Sequence, residues 1–382
     1  MDTGKKSLFQ KIIDDLTARI QEGQYQFGEQ LPTELELADL YNVSRITSRR
    51  ALEELSRDGI IYRQRGQGSF VARKSAEIKP LGENHTIVAL VMPFSEDVGN
   101  ASRLIFSLTS ILGNSNVWLT IHNSHNDINE EHKIIYNLLG EGIQSIIIYP
   151  VSQWGSLDLI FKLHLMNINL IVLDKYFDPI VTNYILSDNF DGGYQAANHL
   201  IQLGHKHIRF VTNSGLQNAT TIRDRILGFY KALWENGIDF GQANICTIDG
   251  PNDLRGMIGG TAYQEWLDNG KKELENIFKD DPNVTALQCQ HDYMAIFLEK
   301  ASLSMGIAVP GDLSIVGFDN NILDDNFRLE VPLTTVAQDL QKIGELAAKK
   351  ILDLLQGGGA DPKRIILPVE LIQRGSSAPA KK

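Results

Sequence analysis

From Thr86 onward the chain alternates short, largely apolar runs with amphipathic stretches, and this alternation constrains the fold more than any other feature. Runs at 86–92, 117–121, 145–149, 170–173, 208–212, 285–289 and 313–318 have the length and composition of buried strands. Between them, 130–139, 191–203, 223–236 and 292–305 place apolar residues at helical spacing. A strand apolar on both faces must be covered on both sides. The pattern therefore predicts an α/β architecture of parallel sheets flanked by helices. In such sheets ligands sit off the carboxyl ends of the strands. Phe94, Asp174 and Asp292 each follow a predicted strand, which makes them candidates to line a pocket.

The first 75 residues follow different rules. Leu8, Ile12, Ile13, Leu16 and Ile20 recur at helical spacing. Thr33, with Glu36 three residues later, is a capping box that should start a second helix. Only Asn42 and Val43 separate the end of that helix from Ser44, the cap candidate of a third, which buries Ala51, Leu52 and Leu55 and can stop at Gly59. Two short helices joined so tightly, the second richer in cations, predict a helix-turn-helix. Arg45 and Arg49 share the face opposite the apolar stripe, flanked by Ser44, Thr47 and Arg50. Two strand-like runs, 60–63 and 69–72, then surround Gln64, Arg65, Gly66, Gln67 and Gly68, a hairpin with a basic, glycine-rich tip. Such a tip forms a wing whose backbone can come close to phosphate.

Charge sharpens this division. The chain carries a net −11, which taken alone argues against a nucleic-acid partner. Residues 1–75 hold 12 Lys+Arg and 11 Asp+Glu, a net of +1, so the remaining residues carry −12. Phosphate binding depends on local charge, and a near-neutral head can present a basic face.

The motifs Leu31-Pro32-Thr33-Glu34, Val43-Ser44-Arg45, Ala51-Leu52 and Gly66-Gln67-Gly68-Ser69-Phe70-Val71 make this segment resemble the GntR family of winged helix-turn-helix regulators. The resemblance implies that Glu34, Ser44, Arg45, Thr47, Arg49, Arg50 and the wing residues Arg65, Gly66, Gln67 and Gly68 touch double-stranded DNA. Arginine can bond guanine N7 and O6 in bidentate fashion, while Ser44 and Thr47 are suited to phosphate. Leu35 stands where family members often carry a polar residue. The alternative for the arginines is a solvated helix face.

The second part resembles the LacI/GalR effector domain, a two-lobed, periplasmic-binding-protein-like type I fold. The blocks that carry this are Leu173-Asp174 with Ser187-Asp188-Asn189, Leu203-Gly204-His205, Arg225-Ile226-Leu227-Gly228-Phe229, the stretch 306–319, Pro332-Leu333-Thr334-Thr335 and 367–376. The resemblance implies crossovers near residues 188, 313 and 336. The first lobe would hold about 86–187 and 314–335, the second about 188–313 and 336–376. Phe94, Asp174, Asp188, Arg225 and Asp292 would line the cleft between them. Carboxylates and a guanidinium can hold vicinal hydroxyls through charge-assisted hydrogen bonds, so the expected effector is a small sugar. Asp174 and Asp188 could instead be caps or turn formers, and Arg225 a helix-surface charge. His291 departs from the family's usual Asn. Trp154, Tyr149 and Tyr176 could stack on a sugar face or pack in the core.

The expected organisation is therefore a DNA-binding domain over residues 1–74, a linker over 75–85 and an effector and dimerisation domain over 86–376. Known regulators of sugar utilisation, those of the arabinose-repressor type among them, fuse such a head to such an effector domain. This linker lacks the apolar hinge helix typical of LacI proteins. The expected activity is that of a homodimeric repressor on a pseudo-palindromic operator. The alternatives are a solute-binding protein, or a corepressor-dependent regulator responding to a nucleoside or sugar phosphate. No nucleophile–base pair, phosphate-binding glycine loop or cofactor lysine motif stands out, so neither catalysis nor a cofactor is expected. His205 and His207 have metal-like spacing but read as the lead-in to a strand, and no metal site is expected. Cys246 and Cys289 lack disulfide or redox spacing. With no apolar leader and no membrane-length run, a cytoplasmic location away from membranes is expected. The tail from Ala378 to Lys382 reads as disordered.

Overall fold

The computed structural model describes residues 8–26, 28–57, 60–64, 68–71, 86–93, 101–177, 180, 182–213, 219–250, 260–321, 330–358 and 362–381. The chain divides into two compact units, Met1–Asn84 and His85–Lys382. The expected linker, Phe94, the wing tip 65–67 and the Gly59 stop lie outside the described residues.

In the first unit, α1 (Leu8–Gln21), α2 (Glu34–Leu40) and α3 (Arg45–Arg57) precede an antiparallel hairpin, β1 (Ile61–Gln64) and β2 (Gly68–Val71). Both bonds of the Thr33–Glu36 capping box form, at 2.7 and 3.3 Å. Asn42 makes the tight turn between α2 and α3 by adopting φ +48°, a left-handed conformation that asparagine tolerates. The core gathers Ile12, Leu16, Leu37, Leu52, Leu55 and Ile61 from all three helices and the hairpin. These are the expected helix-turn-helix and the two strands of its wing.

In the second unit, the stretch from 86 to 187 forms β3 (Thr86–Met92), α4 (Ala101–Asn114), β4 (Val117–Asn123), α5 (Ile128–Gly140), β5 (Ser145–Ile148), α6 (Leu157–Leu165), β6 (Asn169–Leu173) and β7 (Asn183–Ser187). The next stretch holds α7 (Asn189–Gln202), β8 (Ile208–Asn213), α8 (Thr220–Glu235), β9 (Ile245–Ile248), α9 (Gly260–Asp280), β10 (Ala286–Cys289), α10 (Asp292–Ser304), β11 (Ser314–Asp319) and β12 (Thr334–Ala337). It is followed by α11 (Leu340–Leu355), β13 (Arg364–Leu367) and β14 (Glu370–Ile372). The first sheet has the order β13-β7-β6-β5-β3-β4 and the second β14-β12-β11-β10-β8-β9. Every strand pair in these two sheets is parallel except β12 with β14.

This topology corrects the expected division into lobes. The crossover near 188 is present, but none occurs near 313. β11 pairs with β10 and β12 pairs with β11, so residues 314–335 belong to the second lobe. The cause is local: β10, α10 and β11 form one βαβ unit, whose parallel strands lie in the same sheet. The chain returns to the first lobe after Ala337. There Ile343, Ala347 and Ile351 of α11 bury against Leu104, Leu108 and Leu112 of α4. It crosses a third time between β13 and β14.

The described tail, 378–381, is also not loose. The Ala378 N–H donates to Ser314 Oγ at 3.1 Å and the Ala380 N–H to the Leu203 carbonyl at 2.8 Å. These backbone bonds lash it to the second lobe.

Candidate functional site

Ser44 immediately precedes α3, and its hydroxyl accepts the Thr47 N–H at 3.2 Å while lying 2.8 Å from the Thr47 hydroxyl. This cap fixes where α3 starts. The next residue, Arg45, keeps a solvent-facing side chain, and its Nε donates to Glu34 Oε2 at 3.3 Å. Glu34 Oε1 accepts from Arg63 of β1 at 2.6 Å. One carboxylate thus ties the start of α2, the start of α3 and the first wing strand together. Burial alone would raise the Glu34 pKa, but hydrogen bonds and charge from Arg63 and Arg45 bring it below the usual carboxylate value. Arg49 pairs with Glu53 at 2.8 Å on the same exposed face.

With their arginines open to water these pairs are weak, so phosphate can compete for the arginines. Arg50 has a different neighbour. Its guanidinium stands 4.2 Å from the centroid of the Phe9 ring, against α1. Gly68 opens β2 at φ +124°, a backbone conformation that a side chain would strain.

In the second unit, the candidates converge on the carboxyl ends of the strands. Asp174 follows β6, has φ +67° and pairs with Lys175 at 3.0 Å. Its carboxylate also accepts a hydrogen bond from Tyr149, which follows β5. Burial first, then the charge of Asp174, raises the Tyr149 pKa far above its ordinary value, so it remains a phenol. Asp188 caps α7, accepting the Asp191 N–H at 2.9 Å. That is the capping role the sequence left open.

Arg225 is not a helix-surface charge: it is only 5% exposed. Its Nε donates to Asn189 Oδ1 at 2.8 Å, another nitrogen donates to the Gln290 carbonyl, and Nη2 lies 3.6 Å from Asp319 Oδ1. Its guanidinium carbon sits 3.5 Å from the centroid of the Phe318 ring.

Asp292 opens α10 and is buried. Thr335 Oγ1 donates to its Oδ1 at 2.5 Å and the Asn321 N–H to its Oδ2 at 2.8 Å. Gly317 lies against it, where a Cβ would collide with Oδ1. Burial and the nearby Asp319 push the Asp292 pKa up to about 8. Asp319, at the end of β11 with φ +105°, has its pKa pushed up to about 6 by burial, against the pull of Arg225. Gln338, from the crossing back to the first lobe, donates to it at 2.7 Å. His291 caps α10 by accepting the Met294 N–H at 3.1 Å. Burial and Arg225 lower its pKa to about 3, so the ring is neutral.

Sequence reasoning missed Asp319, although it follows a strand as surely as Asp174 does and the same rule would have found it. It also missed the bonds that span the lobes. The Thr220 N–H donates to Gln153 Oε1 at 3.0 Å, and Tyr176 Oη donates to Asp224 at 3.2 Å. The Arg223 guanidinium stands 5.5 Å from the Tyr176 ring centroid and donates to the same phenol oxygen. Trp154 is exposed, whereas Tyr149 lies within the cleft cluster. His205 and His207 have separate partners: His205 contacts Thr285, Ser314 and Ala378, while His207 contacts Asp281.

Two family models match the chain. Bacterial regulatory proteins of the gntR family match residues 8–71, and the periplasmic binding protein-like domain matches 197–377. The chain is 28% identical to the arabinose metabolism transcriptional repressor of Halalkalibacterium halodurans, over 97% of this chain and 96% of that one. It is 26% identical to the protein of the same name from Geobacillus stearothermophilus, over 96% of each. Among solved structures, a LacI family transcriptional regulator from Enterococcus faecium with bound ribose superposes with a TM-score of 0.63 at 25% identity. The match covers 77% of this chain and 100% of that one.

Proposed function

We propose that this chain, which joins a gntR-family head to a LacI-type effector domain, is a DNA-binding repressor of carbohydrate-utilisation genes. It grips a pseudo-palindromic operator and releases it when a small sugar enters the cleft between the lobes. The observation that carries this reading is one polypeptide holding both parts. A capped helix has Arg45 positioned by Glu34, and a two-lobed unit gathers Arg225, Asp292 and Asp319 opposite Tyr149 and Asp174. Carboxyls and a buried guanidinium at strand ends suit a ligand rich in hydroxyl groups. Arabinose, named in the two full-length relatives, and ribose, bound in the superposed structure, head the candidates.

The chain binds its effector without turning it over and works as a cytoplasmic homodimer. Two reading helices in successive major grooves require half-sites ~34–36 Å apart. In the head, Ser44, Thr47, Arg49 and the wing residues 65–68 contact phosphate or groove edges beside Arg45, while Arg50 is held on Phe9. In the cleft, Asp174, Arg225, Asp292 and Asp319 hold the sugar hydroxyls, and Asp188 orients α7. Sugar bridging the two lobes favours their closed arrangement, which changes the operator grip by ~1–3 kcal/mol. The test is a gel-shift titration of a duplex selected by the full chain, with arabinose, ribose and other pentoses and hexoses. Release by one of them is expected. Undiminished DNA affinity with every sugar that binds would overturn the proposal.

A further inference from the structure

The exposed face of α3 carries one large apolar side chain among its polar neighbours. Ile46, the second residue of the helix, is 80% exposed and lies outside the core of the head. A β-branched residue costs rotamer freedom in a helix, and here no burial offsets it. The polar side chains of the same helix end are engaged within the head: Arg45 with Glu34, Ser44 with Thr47, Arg49 with Glu53. Ile46 therefore contributes little to the fold and presents apolar surface beside Arg45.

The N-terminal residues of a recognition helix face base edges in the major groove. Among the four base pairs, the major groove displays one apolar group, the 5-methyl of thymine. We propose that Ile46 is a specificity-determining residue that reads a thymine methyl next to the base contacted by Arg45. This rests on the reading that the head binds duplex DNA, and it adds which base the head demands and by what group. Arg45 selects through hydrogen bonds and charge; Ile46 selects through apolar contact and is blind to uracil.

The experiment uses the full chain and a duplex it selects from a random library, with each thymine replaced in turn by deoxyuridine. Replacement at one position in each half-site is expected to weaken binding about fourfold, the worth of one buried methyl group. The Ile46→Ala chain should bind the thymine and uracil duplexes equally, and Ile46→Val should retain part of the difference. Because Ile46 is exposed, both variants should melt with the parent, which separates a lost contact from a lost fold. Equal uracil penalties in parent and Ile46→Ala would overturn the assignment, as would a selected duplex whose thymine methyls do not matter; both leave the DNA-binding reading standing. A chain that selects no duplex would end both.

Discussion

Nη2 of Arg225 lies 3.6 Å from Oδ1 of Asp319, with the same guanidinium packed on the Phe318 ring. The pair links α8 to the end of β11, and both partners are charges that this cleft must hold out of bulk water. Asp319 keeps part of its side chain in solvent, so stranding it costs less than the about 3–5 kcal/mol of breaking a fully buried pair. Arg225→Ala is therefore expected to lower the urea midpoint of the effector unit and to abolish sugar-induced release of DNA. Arg225→Lys should recover part of the stability but little of the response, because a lysine cannot reach Asn189, Gln290 and Asp319 together. Urea titration with a parallel DNA-release assay checks both; a normal release by Arg225→Ala would remove this residue from the site.

The acid pair beside it makes stability depend on pH. The folded pKa values of Asp292, about 8, and Asp319, about 6, stand above those of the unfolded chain. Between the unfolded and folded values the folded form binds more protons, so these groups make stability fall as pH rises. The fall should run from about pH 4 to pH 6 for Asp319 and on to about pH 8 for Asp292. Asp292→Asn should flatten the portion between pH 6 and 8. Unfolding midpoints at pH 5, 6.5 and 8 for parent and variant measure it; an unchanged slope would contradict the burial argument.

Glu34 holds Arg45 and Arg63 at once. Glu34→Gln should free both arginines for phosphate and loosen their aim. Binding to an unrelated duplex is expected to tighten, with a steeper salt dependence, while the preference for the selected operator falls by about tenfold, on the order of 1–3 kcal/mol for one mispositioned base contact. Anisotropy titrations over a salt series distinguish this from a simple loss of affinity, which would mean that Glu34 touches DNA directly.

The bond from Tyr176 to Asp224 joins first lobe to second. Tyr176→Phe deletes it together with the bond that Arg223 donates to the same oxygen, and should weaken sugar binding by at least about 3–10-fold, the value of one hydrogen bond of about 0.5–1.5 kcal/mol. Operator affinity without sugar should stay close to that of the parent, because a bond made only in the sugar-favoured arrangement contributes nothing to the one that grips the operator. Calorimetry and anisotropy on the same preparation read the two quantities.

Much of this arrangement was legible in the sequence because its signals are local. The Thr33–Glu36 box, the Ser44 cap and the four-residue spacing of Arg45 and Arg49 need only neighbouring residues, and all formed as the spacing required. The run 86–92 and the acid that opens α10 were equally plain. What escaped depends on partners remote in sequence. Phe9 claims Arg50 from another helix, and Gln338 meets Asp319 only after the chain crosses lobes. The lobe boundary failed for the same reason, since pairing of β11 with β10 is a property of the sheet and leaves no mark at residue 313. The helix α4 is a different case. Leu104, Leu108 and Leu112 spell its apolar face at four-residue spacing, a signal that was present and passed over.

The most direct measurement is a closed thermodynamic cycle on the full chain: operator dissociation constants with and without saturating sugar, and sugar dissociation constants with and without operator. The expected result is one factor, about 5–150-fold, appearing in both directions with opposite preference for the two ligands. A sugar that binds the cleft while the operator dissociation constant stays put would contradict the coupling on which the proposed function depends.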